Sequence, residues 1–368
     1  MYKEGSITIT GGAFINEKAK FTRDLSILIV NCIKSKHDIK NVLDPTAATG
    51  IRGMRYNKEA GINEVDFLEI NETSYASLKK NIKQNKIKGN AYNVSIQEFA
   101  NTTKNKYDVI DLDPFGGASP YIFDIMKIAK DNTLLFVTIT DTAVLCGAHT
   151  NACLKLYNAV PLHNEICHEA GLRILIGYIA RIAASFNFGI DVHLSMVYKH
   201  YMRVWLQLNY NSNNALASIK NIGYMFFCNS CGNRGSKSGF APTIDKCSVC
   251  NSKLTVGGPL WIGKLKNTNT INYIIKEMDS LDIKNEDKKI INNILNENDA
   301  NTCYSISHMT HRLKLGSVKQ SYVIDELKNM GYDVSVTHYN PNMIRTNAAY
   351  SDIVNVIKKL YDERISHK

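Results

Sequence analysis

The chain has 368 residues, 44% of them hydrophobic, which is enough to bury a sizeable core in each of two domains. Its 44 Lys and Arg outnumber 34 Asp and Glu, and the formal charge of +10 suits a polyanion, nucleic acid first, better than an acidic partner. The N-terminal segment lacks the zones of a signal peptide and no apolar run approaches the ~20 residues of a membrane span, so a cytoplasmic protein with no membrane and no evident obligate protein partner is expected.

In chain order, TRDLSILIVNCIK (22–34) predicts an apolar helix, with Thr22 or Asp24 available to cap its start. NVL (41–43) predicts a short strand that runs into DPTAATGIRG, then a helix reaching Gly61, the strand EVDFLEI (64–70) and the helix ETSYASLKKNIKQN (72–85). A third strand is expected around AYNVSI (91–96), a fourth at YDVIDL (107–112) and a fifth at NTLLFVTIT (132–140). This alternation argues a doubly wound α/β sheet with right-handed crossovers. A long apolar helix, ICHEAGLRILIGYIARIAASF, follows, and then IDVHLSMVY and YMRVWLQLNY, close enough in sequence to form a hairpin. Five parallel strands closed by an antiparallel hairpin is the layout of class I, Rossmann-like S-adenosylmethionine-dependent methyltransferases, an analogy of fold alone.

Ligands of such sheets bind at the carboxyl ends of the strands, near the switch point. The stretch from Asp44 to Gly53 carries small residues that let the backbone approach a ligand before a helix begins, making Asp44, Thr49 and Gly50 candidate ligand-binding residues. Glu69 closes the second strand 19 residues after Gly50, near the ~20 expected of an acid that hydrogen-bonds a ribose diol. The blander reading is a tight turn and a solvated glutamate. The G-x-x-x-x-G-K-S/T pattern of a Walker loop is absent here, which favours an adenosine ligand without a triphosphate.

The fourth strand ends in DPFGG. Pro114 fixes its own φ and so aims its carbonyl, the glycines at 116 and 117 let the chain turn away, Asp113 adds a second acceptor, and Phe115 offers a ring for a flat base. Two acceptors and a ring suit an exocyclic amine of a nucleobase, holding its N–H bonds while the nitrogen lone pair faces an electrophilic methyl. Asp113 can also take the released proton, directly or through water. The alternative is a structural Asp-Pro turn.

The sequence resembles the tRNA guanine-26 N2,N2-dimethyltransferase family of archaeal type, through AFIN (13–16), TRD (22–24), ATGIRG (48–53), DLDPFG (111–116), TDTAVLCGAH (140–149), ACLKLYNAVPL (152–162), EICHEAGLRIL (165–175), GPLWIG (258–263) and THYNPNMIRTNAAY (337–350). The resemblance implies S-adenosylmethionine as methyl donor and the amine of one tRNA guanine as acceptor. It implies donor contacts from Arg23, Glu69 and the ATG turn, and a base held by Asp113, Pro114 and Phe115 with Phe14 closing on its other face. The chain departs from the family at FINE, where an F-Y-N-P-like motif is usual, and at Ser95, Ile96 and Gln97, where an acid often contacts adenine.

Beyond residue 210, Cys228, Cys231, Cys247 and Cys250 form C-x2-C-x15-C-x2-C, the spacing of two knuckles around one tetrahedral structural Zn²⁺. Cys146 with His149, and Cys167 with His163 and His168, are simpler as loop packing and a buried helix face. SISHMTHRLK, SVKQSYVIDELKNMGY and DVSVTHYNPNMIRTN resemble a winged-helix unit, which would lay Arg312, Lys314, Lys319 and Arg345 along RNA phosphates. A methyltransferase domain over 1–210 and a smaller α+β tRNA-binding domain over 211–368 are expected, divided near the polar stretch NYNSNNALAS (209–218). Two rivals stay open: another amino methyltransferase, acting on a DNA adenine or a protein glutamine, and a non-enzymatic zinc-ribbon nucleic-acid binder.

Overall fold

The computed structural model describes residues 1–10 and 12–366. A hairpin of β1 (Tyr2–Glu4) and β2 (Ile7–Ile9) precedes helix α1 (Lys20–Lys34). Alternating units follow: β3 (Asn41–Asp44), α2 (Ile51–Glu59), β4 (Glu64–Leu68), α3 (Glu72–Gln84), β5 (Gly89–Tyr92), α4 (Ile96–Thr102), β6 (Tyr107–Leu112), α5 (Ser119–Ile128) and β7 (Ala129–Ile139). Helices α6 (Thr142–Leu145), α7 (Thr150–Tyr157) and α8 (Cys167–Ser185) lead to the hairpin of β8 (Phe188–Tyr198) and β9 (Tyr201–Tyr210). The seven strands lie in the order β5-β4-β3-β6-β7-β9-β8, the first five parallel and β9 antiparallel to both its neighbours. This is the expected layout, and its order reverses between β3 and β6, where Asp44 and Asp113 emerge side by side.

The central strands are buried on both faces, so their apolar residues run nearly without interruption. Val42 and Val109 join Leu25, Met54, Phe67 and Trp205 on one face, while Leu43, Ile110 and Leu112 join Ile122, Leu175 and Ile179 on the other. The period of two along each strand thus divides the core into two layers.

Residues after 210 continue as α9 (Ser212–Lys220), the three-stranded sheet of β10 (Ile222–Phe227), β11 (Arg234–Ser238) and β12 (Thr255–Trp261), α10 (Thr268–Glu277) and α11 (Asn285–Asn296). Then come β13 (Cys303–Ser305), α12 (Ile306–Arg312), α13 (Gln320–Asn329), the hairpin of β14 (Val334–Val336) and β15 (Met343–Thr346), and α14 (Tyr350–Ser366). Met225, Leu260 and Trp261 are packed into one layer of the main core and Ile271, Ile274 and Ile291 into the other. Among the described residues, only the segment from Tyr304 to Ile357 carries a cluster of its own, around Met309, Val323, Leu327 and Ile353. No helix among the described residues is long and apolar enough to cross a membrane.

Several expectations shift. Helix α1 begins at Lys20, and neither Thr22 nor Asp24 caps it: Thr22 Oγ1 donates back to the Ala19 carbonyl and Asp24 is buried against Arg55. The third strand ends at Tyr92 because Ser95 accepts the Glu98 amide and starts α4, so Ser95, Ile96 and Gln97 open a helix instead of closing a strand. The polar stretch near 209–218 is largely helix α9, capped by Asn211, whose side chain accepts the Asn213 amide at 2.8 Å. Three residues before α12 form a strand, and α10, α11 and α14 had no assignment from sequence.

Candidate active site and cysteine cluster

The site is built where β3, β4 and β6 run out. Asp44, 1% exposed, ends β3; its Oδ2 accepts the Gly53 amide at 3.1 Å, and its Oδ1 has no partner. Burial pushes this carboxyl up to about 7, with the charge of Asp111 adding to the effect. A buried acceptor left unpaired is costly, so this oxygen fits a ligand that brings an N–H or a positive charge. The chain then turns through Ala48 at φ +47° and Gly50 at φ +80°. A Cβ at Gly50 would lie 2.4 Å from Leu78 Cδ1, so both the backbone angle and the close packing demand glycine. Thr49 is buried, and its carbonyl accepts from Asn81 Nδ2 at 3.1 Å.

Glu69, half-buried, follows β4 and ties this turn to the next helix. Its Oε2 accepts the Ala48 amide at 2.9 Å and its Oε1 the Asn71 amide at 2.8 Å. Two backbone donors fix the carboxylate without exhausting its four lone-pair positions, leaving it able to accept hydroxyls. Beside it Ile70 is 71% exposed, an apolar face next to the loop.

At the end of β6, Asp113 Oδ2 accepts from Arg52, Nε at 2.9 Å and Nη2 as well, while the Asp113 amide donates to Thr46 Oγ1 at 3.0 Å. Burial works to raise this carboxyl, but Arg52 and then Arg203 outweigh it and hold it below the usual carboxylate range. Pro114 is buried and Gly116 turns at φ +81°, its amide donating to Thr140 Oγ1 while its carbonyl accepts the Thr140 amide, both at 3.0 Å. The turn is therefore pinned to the end of β7. Phe115 projects from it, 79% exposed, toward Phe14, with ring centroids 5.1 Å apart and planes at 60°.

Behind Asp113 lies a buried charge network. Asp111 accepts Arg203 Nη2 at 2.7 and 2.8 Å and the Tyr56 hydroxyl at 2.6 Å, and Arg52 Nη1 stands 3.6 Å away. Arg23 belongs to a separate cluster: Nε and Nη2 bond Glu4 at 2.7 and 2.5 Å, and Nη1 donates to the Asn16 carbonyl at 3.0 Å. Glu4 also meets Arg55 at 2.8 Å; burial opposes its ionisation, yet the two arginines bring it down to about 2.

The four cysteines of the second half converge. All four sulfurs lie within 4.8 Å of one another, with Cys228 to Cys250 at 3.4 Å and Cys231 to Cys247 at 3.6 Å. Four sulfurs about 2.3 Å from one tetrahedral Zn²⁺ would stand about 3.8 Å apart, so the spacing fits a metal. Donors typical of thiolate sites surround them: the amides of Asn233 and Val249 reach Cys231 and Cys247 at 3.5 and 3.4 Å.

A profile of the N2,N2-dimethylguanosine tRNA methyltransferase family matches residues 3–358. The chain belongs to this family. It is 34% identical over 354 residues to the tRNA (guanine(26)-N(2))-dimethyltransferase of Methanobrevibacter smithii, covering 94% of this chain and 91% of that one. The enzyme of that name from Pyrococcus horikoshii is likewise 34% identical, over 365 residues, with 94% and 92% covered. A solved complex of Trm1 from Pyrococcus horikoshii with S-adenosyl-L-methionine has a TM-score of 0.87 at 32% identity, covering 96% of this chain and 98% of that one. The fold of this family member is thus that of an S-adenosylmethionine-dependent methyltransferase with a Rossmann-like mixed sheet.

Of the residues singled out from sequence, Asp44, Thr49, Gly50 and Glu69 share one loop cluster, and Asp113, Pro114, Phe115 and Phe14 a second beside it. Arg23 is engaged with Glu4 instead of standing open. Arg345, expected along RNA phosphates, is 1% exposed and bonds Glu169 at 2.8 and 2.6 Å, so it is a core ion pair. Arg312 is half-buried, with Nη1 donating to the Asn229 carbonyl at 2.8 Å, whereas Lys314 and Lys319 are exposed. Sequence reasoning missed Arg52, Thr46 and Thr140. The signal for Arg52 was its place in ATGIRG, in the first turn of the helix that leaves the candidate ligand loop.

Proposed function

We propose that this chain transfers methyl groups from S-adenosylmethionine to the exocyclic N2 of guanine 26 in tRNA. The observation that carries the reading is the full-length likeness to a relative solved with S-adenosylmethionine, joined to an orphan acceptor and a braced glutamate at the ends of β3 and β4. Glu69 takes the ribose hydroxyls, Asp44 Oδ1 meets the donor's ammonium group, and the backbone of Thr49 and Gly50 gives the donor room. Arg23, held by Glu4 and the Asn16 carbonyl, braces the neighbouring hairpin, and its donor contact is carried over from the family resemblance alone. Ile70 supplies an apolar face for the adenine, in place of the acid missing at 95–97. S-adenosylmethionine supplies the electrophilic methyl.

On the acceptor side, Asp113 and the Pro114 carbonyl accept the two N2–H bonds, and the amine nitrogen faces the methyl. Orientation and electrostatic placement carry the rate, since the lone pair is otherwise delocalised into the base. Arg52 keeps Asp113 ionised and fixes its rotamer. A carboxyl held below its usual range is a weak base, yet the methylated amine is so strong an acid that Asp113 can still receive its proton. Because N2 of a stacked guanine is out of reach, the base leaves its stack and enters between Phe14 and Phe115.

The four-cysteine cluster holds a structural Zn²⁺ with no open position, and β13 through β15 with α12 and α13 act as a winged-helix-like unit. Residues 1–210 form the catalytic portion and 211–368 the tRNA-binding portion, with Lys314 and Lys319 toward phosphates. The test is transfer of labelled methyl to tRNA carrying guanine or inosine at position 26, inosine lacking N2. Label on the guanine tRNA, recovered as N2-methylated guanosine, and none on the inosine tRNA is expected. Equal labelling of both would overturn the assignment.

A further inference from the structure

A second group of soft ligands lies apart from the four-cysteine cluster. Cys146 closes α6, and Cys167 and His168 open α8; their Sγ, Sγ and one ring nitrogen all fall within 4.8 Å of one another. We propose that these three side chains form a zinc site with one open position.

The segments are held together by glycines. A Cβ on Gly147 would stand 2.8 Å from that of His163, and one on Gly171 would stand 3.1 Å from the Leu145 carbonyl. Both allow closer approach than any side chain would. Cys167 Sγ lies 3.6 Å from His168 Nδ1. A tetrahedral zinc with bonds of about 2.3 Å to sulfur and 2.0 Å to nitrogen needs about 3.5 Å between them, so this pair already has the required bite. Two thiolates and an imidazole make a donor set that prefers zinc to the hard cations. Cys146 and Cys167 are half-buried and His168 is exposed, which provides an entry path and leaves the fourth position to water. His163 Nδ1 contacts the Cys146 carbonyl at 3.0 Å and braces the loop that carries the first ligand. Cys146 is six residues from Thr140, the residue bonded on both sides to Gly116, so an ion here fixes the segment flanking the base-side turn. The inference does not depend on the proposed methyl transfer.

Full-length protein, reduced, loaded with zinc and desalted, is assayed by elemental analysis. The wild type is expected to hold one equivalent more than Cys167→Ser and one more than Cys146→Ser, while Cys250→Ser loses its own equivalent independently. With cobalt(II), the thiolate-to-metal bands of Cys250→Ser should have about half the intensity of those of Cys167→Ser, two thiolates against four. Should a cysteine variant fail to fold by circular dichroism, His168→Gln at the exposed ligand makes the same comparison. Zinc content equal to wild type in folded Cys146→Ser, Cys167→Ser or His168→Gln would overturn the site.

Discussion

The ring of Phe14 rests on that of Phe115, 5.1 Å between centroids and 60° between planes. A base stacked between them needs two contacts of about 3.5 Å, so the rings must part by about 2 Å and turn parallel. They give up one aromatic pair, ~0.5–1.5 kcal/mol, and gain two base stacks of ~1–3 kcal/mol each. The exchange favours the inserted base and offsets much of the cost of unstacking it, itself a few kcal/mol. Phe14→Ala and Phe115→Ala should each slow methylation by about 5- to 150-fold, the same energy expressed as rate. tRNA affinity, carried by phosphate contacts, should change little. A fluorescent base analogue at position 26 should brighten on binding wild type and less so with either variant; no brightening with active enzyme would mean that the base is reached in its stack.

Asp113 is predicted to act on the acceptor alone. Its side chain is bonded to Arg52 and makes no hydrogen bond to Glu69, so Asp113→Ala should lower the methyl-transfer rate by about two orders of magnitude or more with donor affinity retained. Single-turnover rates and donor titrations separate the two quantities. A parallel loss of both would make Asp113 a donor residue.

Donor binding should depend on pH through Asp44. Its carboxyl is raised to about 7 in the folded chain, facing Asp111 and Asp113 as like charges and Arg52 as the opposing one. A cationic donor group favours the ionised form, so affinity should rise from pH 6 to pH 8 with proton release, seen by calorimetry in buffers of different ionisation heat. For stability the sign is opposite: between the ordinary Asp pKa of ~3.9 and about 7 the unfolded chain has lost a proton that the folded chain keeps, and stability falls as pH rises through that window. Asp44→Asn should flatten both dependences. Glu69→Ala should weaken donor binding at every pH, and unchanged donor affinity would remove Glu69 from the site.

The strands of the main sheet were legible because each is an apolar run bounded by turn residues, and the strand ends were legible because DPFGG and DPTAATG break that pattern. What escaped was side-chain partnership across long sequence separations. Nothing local distinguishes Arg345, buried on Glu169, from Lys314 on the surface; both are basic residues in polar stretches. Arg23 likewise meets Glu4, nineteen residues away, through a hairpin too short to announce itself. The third strand was drawn too long because Val94 and Ile96 continue its apolar run, while a single serine cap at 95 decides the turn into α4. The packing of α10 onto α1 and β8, with α11 against α10, runs across the expected boundary near 210, since their apolar residues complete a core begun in the first half.

Chelation of the metal proposed for Cys228, Cys231, Cys247 and Cys250 should unfold the segment from 228 to 250 locally, since binding energy at such a site is largely folding energy. The damage should reach α14, whose Tyr350 hydroxyl donates to the Cys231 carbonyl, and Arg312, which donates to the Asn229 carbonyl. Hydrogen exchange should accelerate there while the main sheet stays protected, and methyl transfer should survive in part. Uniform deprotection of the main sheet would show that the cluster supports the whole fold.

Glu169 ties α8 to the C-terminal segment. Fully buried on α8, it accepts Arg345 from β15 at 2.8 and 2.6 Å, Arg173 at 2.7 Å and the Tyr339 hydroxyl at 3.2 Å. Burial works to raise its pKa, but Arg345 and then Arg173 hold the carboxyl far below the usual glutamate range. Its stabilising effect is therefore present above the ordinary Glu pKa of ~4.3 and is lost as pH falls toward its folded value. Glu169→Gln leaves Arg173 without its counter-charge and Arg345 with Glu297 alone, 3.2 Å from its Nε, and removing one partner of such a buried group costs about 3–5 kcal/mol. The urea midpoint of Glu169→Gln should fall accordingly at pH 7. The gap from wild type should narrow at low pH, where the wild-type carboxyl also begins to lose its charge. Pairing Glu169→Met with Arg345→Met should cost less than Glu169→Gln alone, because the Arg345 charge leaves with its partner. An unchanged midpoint for Glu169→Gln would mean that water reaches these arginines and that the second half is held to α8 by apolar packing and by the Arg173 bonds to the Trp261 and Gly263 carbonyls.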